Sequence, residues 1–281
     1  MKLFIILILI FLPNILIAQA ILSGRILDAK QKPIAFAAIG YYHSRIGDNS
    51  DSIGVFRIKK ITGDSIKVSA LGYQPVTIVI TELTNQLQVE LKEAYTSLDA
   101  VSVRSRRNTT AKILLGHDDG KENFWEILEP DIQDAVYIPN ETKVKGYIDD
   151  IRFKLESPRK ATYLLRIRLF DKNPVTQLPG EDLLFEDNIL PSHQLKRKNI
   201  FSTRSKNIEF PEGGVFVSFE LIPLKGLANG DKNLPHLIGN AYAEKIYTYL
   251  NYKEIRWIHE TPPRSFTGFY DVPGISISVS Y

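Results

Sequence analysis

The chain contains no cysteine. That absence removes thiol nucleophiles, thiolate metal sites and disulfide chemistry together, so its domains must hold on their apolar cores alone. Net charge is also scarce: Lys and Arg exceed Asp and Glu by only three, which gives no general attraction to nucleic acid. The five histidines, at 43, 117, 193, 236 and 259, stand singly, with no H-x-x-x-H or H-E-x-x-H spacing to set two ligands on one face. Neither a G-x-S-x-G elbow nor a G-x-x-x-x-G-K-[ST] phosphate loop occurs. These gaps lead to the expectation of no cofactor, no metal and no nucleic-acid partner.

What is present begins with a leader. Met1-Lys2 supplies one positive charge, Leu3 to Leu12 an apolar run, and Ile15 to Ala20 a small-residue exit after Pro13-Asn14. Residues 1–20 therefore read as a secretory signal peptide. The apolar part falls short of the roughly 20 residues a spanning helix needs. Cleavage is expected after Ala18 or Ala20. The product would be an exported protein of the periplasm, outer-membrane surface or exterior, with no transmembrane segment. The composition, 44% hydrophobic and 24% charged, is that of a globular chain, and enough remains after the leader for two domains.

From Ile21 to Val103, short β-type runs at 21–27, 34–42, 54–60, 65–71, 74–80, 86–91 and 98–104 are separated by turn chemistry, the pattern of an antiparallel sandwich. In 65–71, Ile66, Val68 and Ala70 alternate with Ser65, Lys67 and Ser69, which buries one face and wets the other. Asp28 to Pro33, Asp48 to Gly54 and Thr62-Gly63-Asp64 supply the turns. The core is expected to include Phe56, Val68 and Leu71.

Gly24 and Asp28, Pro33-Ile34 with Ala37, Asp51 to Phe56, Asp64 to Ser69 and Leu71-Gly72-Tyr73 together resemble the carboxypeptidase regulatory-like domain, a small transthyretin-like β-sandwich. The resemblance implies seven strands over residues 21–103. It also implies an accessory role, because in carboxypeptidases this domain sits beside the catalytic one. In exported bacterial proteins it often precedes a TonB-dependent receptor barrel. Leu98 to Val103 is similar to the segment that follows such domains in receptors, and a last sandwich strand explains it equally well.

Residues 104–134 read as a linker: Arg104 to Lys112 is basic and polar, and Phe124, Trp125, Ile127 and Leu128 suggest a short helical turn ended by Pro130. Residues 135–281 carry β-runs at 144–156, 161–171, 182–190, 205–210, 214–224, 245–250, 253–258 and 274–281, a second, jelly-roll-like sandwich in an all-β chain. Leu165, Ile167 and Leu169 alternate there with Arg166, Arg168 and Phe170, an amphipathic strand. Asp150 to Phe153, Leu165 to Phe170, Leu178-Pro179-Gly180 and Asn188-Ile189-Leu190 make this half similar to uncharacterised C-terminal domains of exported Bacteroidetes proteins.

Chemistry is sought in four places. Gly116 to Gly120 joins a histidine to two carboxylates, although a polar loop has the same composition. Asp48, Asn49 and Asp51 offer oxygens to calcium, but the sandwich turn already accounts for them. Asp149, Asp150, Glu181 and Asp182 are carboxylates for a glycosidase-like pair, set against ordinary solvated positions. The aromatic C-terminal region is weighed most: Tyr247 and Tyr249 share a strand face near Trp257, a platform for a sugar ring or a protein partner if the rings are exposed. The expected function is a non-catalytic binding or scaffolding protein of the bacterial cell envelope, with an envelope glycan or outer-membrane protein as partner. The alternatives are a glycan-directed hydrolase in the C-terminal domain and an accessory of an outer-membrane TonB-dependent uptake system.

Overall fold

Alternation of apolar and polar residues organises the first part of the chain into strands β1 (Ile21–Asp28), β2 (Ala38–Tyr41), β3 (Gly47–Asn49), β4 (Val55–Lys59), β5 (Ser65–Ser69), β6 (Val76–Val79) and β7 (Gln86–Leu91). The structure is a computed structural model that describes residues 20–44, 46–94, 111–118, 122–130, 132–141, 143, 145–158, 161–224, 227, 230–242, 248–253, 256–260 and 270–281. The leader and the 98–104 run lie outside these residues.

Strands β4-β1-β7 and β3-β2-β5-β6 form two sheets. Their inward residues, among them Leu22, Ile26, Ile39, Phe56, Ile66 and Val68, make one core. Gly54, at φ +77°, makes the turn into β4 that the motif calls for. Three details depart from expectation. Strand β7 runs parallel to β1, so the module is not wholly antiparallel. Leu71 is only half-buried, because it sits in the turn with Gly72 at φ +83° rather than at the end of a strand. Residues 34–37 are not a strand: Ser50 holds them, its Oγ accepting from Ala37 N at 3.0 Å and donating to Ile34 O at 2.9 Å.

The second part is also all β: β8 (Lys112–Gly116), β9 (Glu122–Ile127), β10 (Ile132–Ile138), β11 (Tyr147–Glu156), β12 (Tyr163–Lys172), β13 (Pro179–Asp182), β14 (Asn188–Pro191), β15 (Lys198–Ser202), β16 (Val215–Pro223), β17 (His236–Tyr242), β18 (Thr248–Tyr252), β19 (Trp257–Glu260), β20 (Tyr270–Pro273) and β21 (Ile275–Ser280). Two seven-stranded sheets result. One has the order β13-β12-β16-β10-β18-β19 with β14 also on β12, and the other β20-β17-β11-β21-β8 with β15 on β11 and β9 on β17. Residues of both sheets share one core, in which the rings of Phe153 on β11 and Phe219 on β16 meet at 4.8 Å.

The expected linker is a correction. Residues 112–116, 122–127 and 132–138 are strands of the second sandwich, and the helical turn at Phe124 to Leu128 does not form. Strand β9 is held instead by a ladder to β17, from Glu122 opposite Asn240 to Ile127 opposite His236. A five- or six-residue edge strand with charged neighbours has too little alternation to announce itself, and long-range pairing decides it. The 205–210 run is likewise no strand; Arg204–Lys206 form a 3-10 turn. Among the described residues no helix is long and apolar enough to cross a membrane, which says nothing of strands.

Candidate functional site

The expected amphipathic strand β12 has no wet face. Arg166 and Arg168 are 2% and 7% exposed. Guanidinium groups stay charged, so burial at this level requires partners. Strand register supplies them. Arg166 lies opposite Glu220 on β16, Glu220 opposite Gln133 on β10, and Gln133 opposite Asn251 on β18, so a row of polar side chains crosses the sheet on the face turned away from its main core.

The row is closed by salt bridges. Arg166 Nη1 is 2.6 Å from Glu220 Oε2, its Nε is 2.7 Å from Asp187 Oδ1, and its Nη2 donates to Asp187 Oδ2 at 3.1 Å. Lys253, buried in the turn after β18, puts Nζ 3.5 Å from Glu220 Oε1. Arg168 Nε lies 3.8 Å from Asp182 Oδ2.

The first sandwich caps this row. Arg166 Nη2 donates to Phe36 O at 2.5 Å, Asn49 Nδ2 donates to Glu220 Oε1 at 3.2 Å, and Lys253 Nζ donates to Asn49 Oδ1. The Phe36 backbone is in the left-handed region at φ +54°, a costly conformation for an aromatic residue. It is held from both sides, since its N–H donates to Ser50 O at 3.1 Å and its carbonyl takes the Arg166 proton. Lys253 is also left-handed, at φ +44°. Strained backbone on both sides of one contact points to the junction as a functional position.

The charges act on one another. Burial alone would raise the Glu220 carboxyl, but Arg166, Lys253 and Arg168 hold it down at about 2. A carboxyl depressed on folding contributes stability that is complete above its ordinary value of 4.5 and is lost as pH falls through about 2. The shift corresponds to about 3 kcal/mol. Urea unfolding followed from about pH 6 down to about pH 2 is expected to show this loss, and Glu220→Gln to flatten the dependence by a similar amount. An unchanged profile would place the ionised carboxylate elsewhere. Asp48 moves the other way, its carboxyl raised by burial against the pull of the Asn49 N–H and Lys253.

Beside the junction a cleft of about 580 Å³ opens between the modules. Phe36, Asp48, Ser52 and Arg57 line it from the first sandwich, and Pro223 and Leu224 from the second.

The residues singled out from sequence are dispersed. Tyr247 lies outside the described residues. Tyr249 is 8% exposed, its ring edge-on to Phe216 at 5.0 Å and to His259 at 5.2 Å. Trp257 is half-buried, edge-on to Phe170 at 5.5 Å. Tyr249 and Trp257 thus join one small aromatic cluster on the outer face of the sheet, and the ring of Tyr249 is packed rather than displayed. Asp149 is 3.3 Å from Lys112 and accepts from Ser280 Oγ at 3.2 Å, Asp150 is 3.8 Å from Arg152, and Glu181 is exposed. Asp149 and Asp150 belong to one sheet of the sandwich, Glu181 and Asp182 to the other. His117 is buried with Nε2 3.0 Å from Tyr137 O, and Asp118 pairs with Lys154 at 2.6 Å. Asp51 Oδ1 accepts from the N–H groups of Ile53 and Val55, which makes it part of the turn. In the basic stretch at 196–206, Arg197 pairs with Glu122 and Lys206 with Glu186, each at 2.6 Å.

Sequence reasoning missed Asn49, Arg166, Glu220 and Lys253 as a group. One signal was available: Glu220 stands alone inside the apolar run from Val215 to Pro223, and a lone carboxylate in a buried strand demands a cation.

Residues 22–103 match the family described as CarboxypepD_reg-like domain. The likeness read from Gly24 to Tyr73 is therefore borne out over that span. No curated protein matches the chain. Among solved structures it is similar to a Bacteroides uniformis protein to which carbohydrate binding has been ascribed, at 10% identity over 94% of this chain and 99% of that one, with a TM-score of 0.22. It is also similar to BcpA, the major pilin subunit of Bacillus cereus, at 10% identity over 90% of this chain and 69% of that one, with a TM-score of 0.17. Superpositions this loose carry no argument about function.

Proposed function

We propose that this chain is an exported, non-catalytic protein of the bacterial cell envelope that binds a glycan in the cleft between its two sandwiches. The observation that carries the reading is the cleft itself, set against a junction whose buried charges fix its walls. Clefts between domains are preferred ligand positions. The carboxylate of Asp48, the hydroxyl of Ser52 and the guanidinium of Arg57 offer both acceptors and donors to sugar hydroxyls. Phe36, Pro223 and Leu224 offer apolar surface to the C–H face of a ring. Export is supported by the leader pattern of Lys2, Leu3 to Leu12 and Ala18 to Ala20.

Arg57 tests the reading because it is exposed and reaches the cleft from β4. Arg57→Ala should change stability by no more than about 0.5 kcal/mol, yet weaken glycan binding about tenfold, the worth of one charge-assisted hydrogen bond. Calorimetric titration of the mature protein and the variant against a panel of envelope glycans measures it. Equal affinities for both proteins, or binding of none of the panel, would remove the proposal. One observation favours a glycan hydrolase instead: Asp48 lines the same cleft and burial raises its carboxyl, the direction in which a general acid is tuned. Glycan turnover abolished by Asp48→Asn would establish that reading.

A further inference from the structure

We propose that Lys253 and Asn49 become joined by an intramolecular isopeptide bond that covalently ties the second sandwich to the first, with Glu220 as the catalytic proton shuttle. Three groups with complementary chemistry meet at the junction: an amine, a carboxamide and a carboxylate, on residues that are 4%, 7% and 2% exposed. Lys253 Nζ donates to Asn49 Oδ1, which sets the nucleophile beside the amide group it would attack. A single carboxylate oxygen, Glu220 Oε1, lies 3.5 Å from Nζ and 3.2 Å from Asn49 Nδ2. Aminolysis of an amide needs a group that takes a proton from the nucleophile and gives one to the leaving nitrogen, and here one oxygen is hydrogen-bonded to the leaving nitrogen and within ion-pair distance of the nucleophile.

The surroundings hold this arrangement. The second oxygen of Glu220 is occupied by Arg166 Nη1 at 2.6 Å, which leaves Oε1 turned toward the two nitrogens. The Lys253 stem passes over Gly47, where a Cβ would stand 2.5 Å from Lys253 Cγ, so only glycine admits it. Asn49 is fixed in β3 by pairing with Ala38. Fixed reactants of this kind behave as if at very high effective concentration. Burial keeps water from competing for the amide.

The step balances without any external reactant. Lys253 attacks as the neutral amine, one proton having left for solvent, and Nζ forms a bond to Asn49 Cγ. Attack makes the remaining protons on Nζ acidic, and Glu220 takes one and passes it to the departing nitrogen as the Cγ–Nδ2 bond breaks. The products are a secondary amide and an ammonia that takes up a proton and leaves as ammonium. No atom is oxidised or reduced. Arg166 and Arg168 remain to keep Glu220 ionised. In a chain without cysteine, such a bond gives a permanent cross-link that no reducing agent opens.

Mass spectrometry of the purified mature wild-type protein decides the matter. The intact mass should fall short of the sequence mass by one ammonia. Tryptic digestion should leave Lys253 uncleaved and yield a branched peptide containing both Lys253 and Asn49. Lys253→Arg, Asn49→Ala and Glu220→Gln should each restore the full mass at this site. Two other positions can lose ammonia, an N-terminal Gln19 by cyclisation and Asn229 before Gly230 by succinimide formation. A loss mapped to either of these, with normal cleavage after Lys253, would overturn the proposal. So would a wild-type protein of full mass. Both readings come from the wild-type protein and stand even if a variant fails to fold.

Discussion

Arg166→Met is expected to lower the free energy of unfolding by about 3 to 5 kcal/mol, the range for removing one partner of a buried ion pair. The side chain is almost wholly enclosed and serves three acceptors, Glu220, Asp187 and the Phe36 carbonyl. Asp187 is partly exposed and can turn to water, so its share of the loss is small. Glu220 and Phe36 cannot turn away as easily. One is a buried carboxylate left with less cation, and the other loses the donor that steadies a left-handed backbone. Urea unfolding measures the loss through the shift in midpoint. A change below about 1 kcal/mol would mean that a neighbouring cation or water replaces the guanidinium. Replacing Arg166, Glu220 and Lys253 together with apolar residues of similar volume should recover only the share due to the stranded charge, because the Phe36 carbonyl still lacks its donor and the Lys253–Asn49 bond cannot form.

Phe56→Ala should be comparably severe, about 3 to 5 kcal/mol. The ring is 2% exposed and sits across from Gly24 in the β1–β4 ladder. A Cβ at Gly24 would stand 2.5 Å from its Cε1, so the ring fills the space the glycine leaves. With glycine opposite, the cross-strand partner has no side chain to swing into the vacated volume. The urea midpoint should fall with the slope unchanged. A loss well below 1 kcal/mol would contradict the register of β1 and β4.

The first sandwich was legible because its signals are local. Turn residues such as Asp51 and Gly54 act within a few positions, and Phe56 and Val68 alternate with polar neighbours, so strand, turn and core could be read together. The edges of the second sandwich were not. Strand β8 shows Ile113 and Leu115 toward the core, but Arg104 to Lys112 before it and Asp118-Asp119 after it suggest a linker, and β9 exists only through its ladder to β17. Arg166 misled most. Alternation with leucine and isoleucine ordinarily marks a solvent face, and here a second domain covers that face. What covers a strand is a fact of tertiary structure that periodicity does not hold. The same reason hides the candidate site, since Asn49 and Glu220 are 171 positions apart. Tyr249 and Trp257 were visible as an aromatic group, but aromatic content alone does not separate a displayed ring from one packed on Phe216 or Phe170.

The central claim is that the buried charges make two sandwiches into one cooperative body. Differential scanning calorimetry of the mature protein tests it most directly. The account predicts a single transition for the wild type, with calorimetric and van't Hoff enthalpies in agreement, and two separated transitions for Arg166→Met. Two independent transitions in the wild type, each unmoved by Arg166→Met, would contradict it.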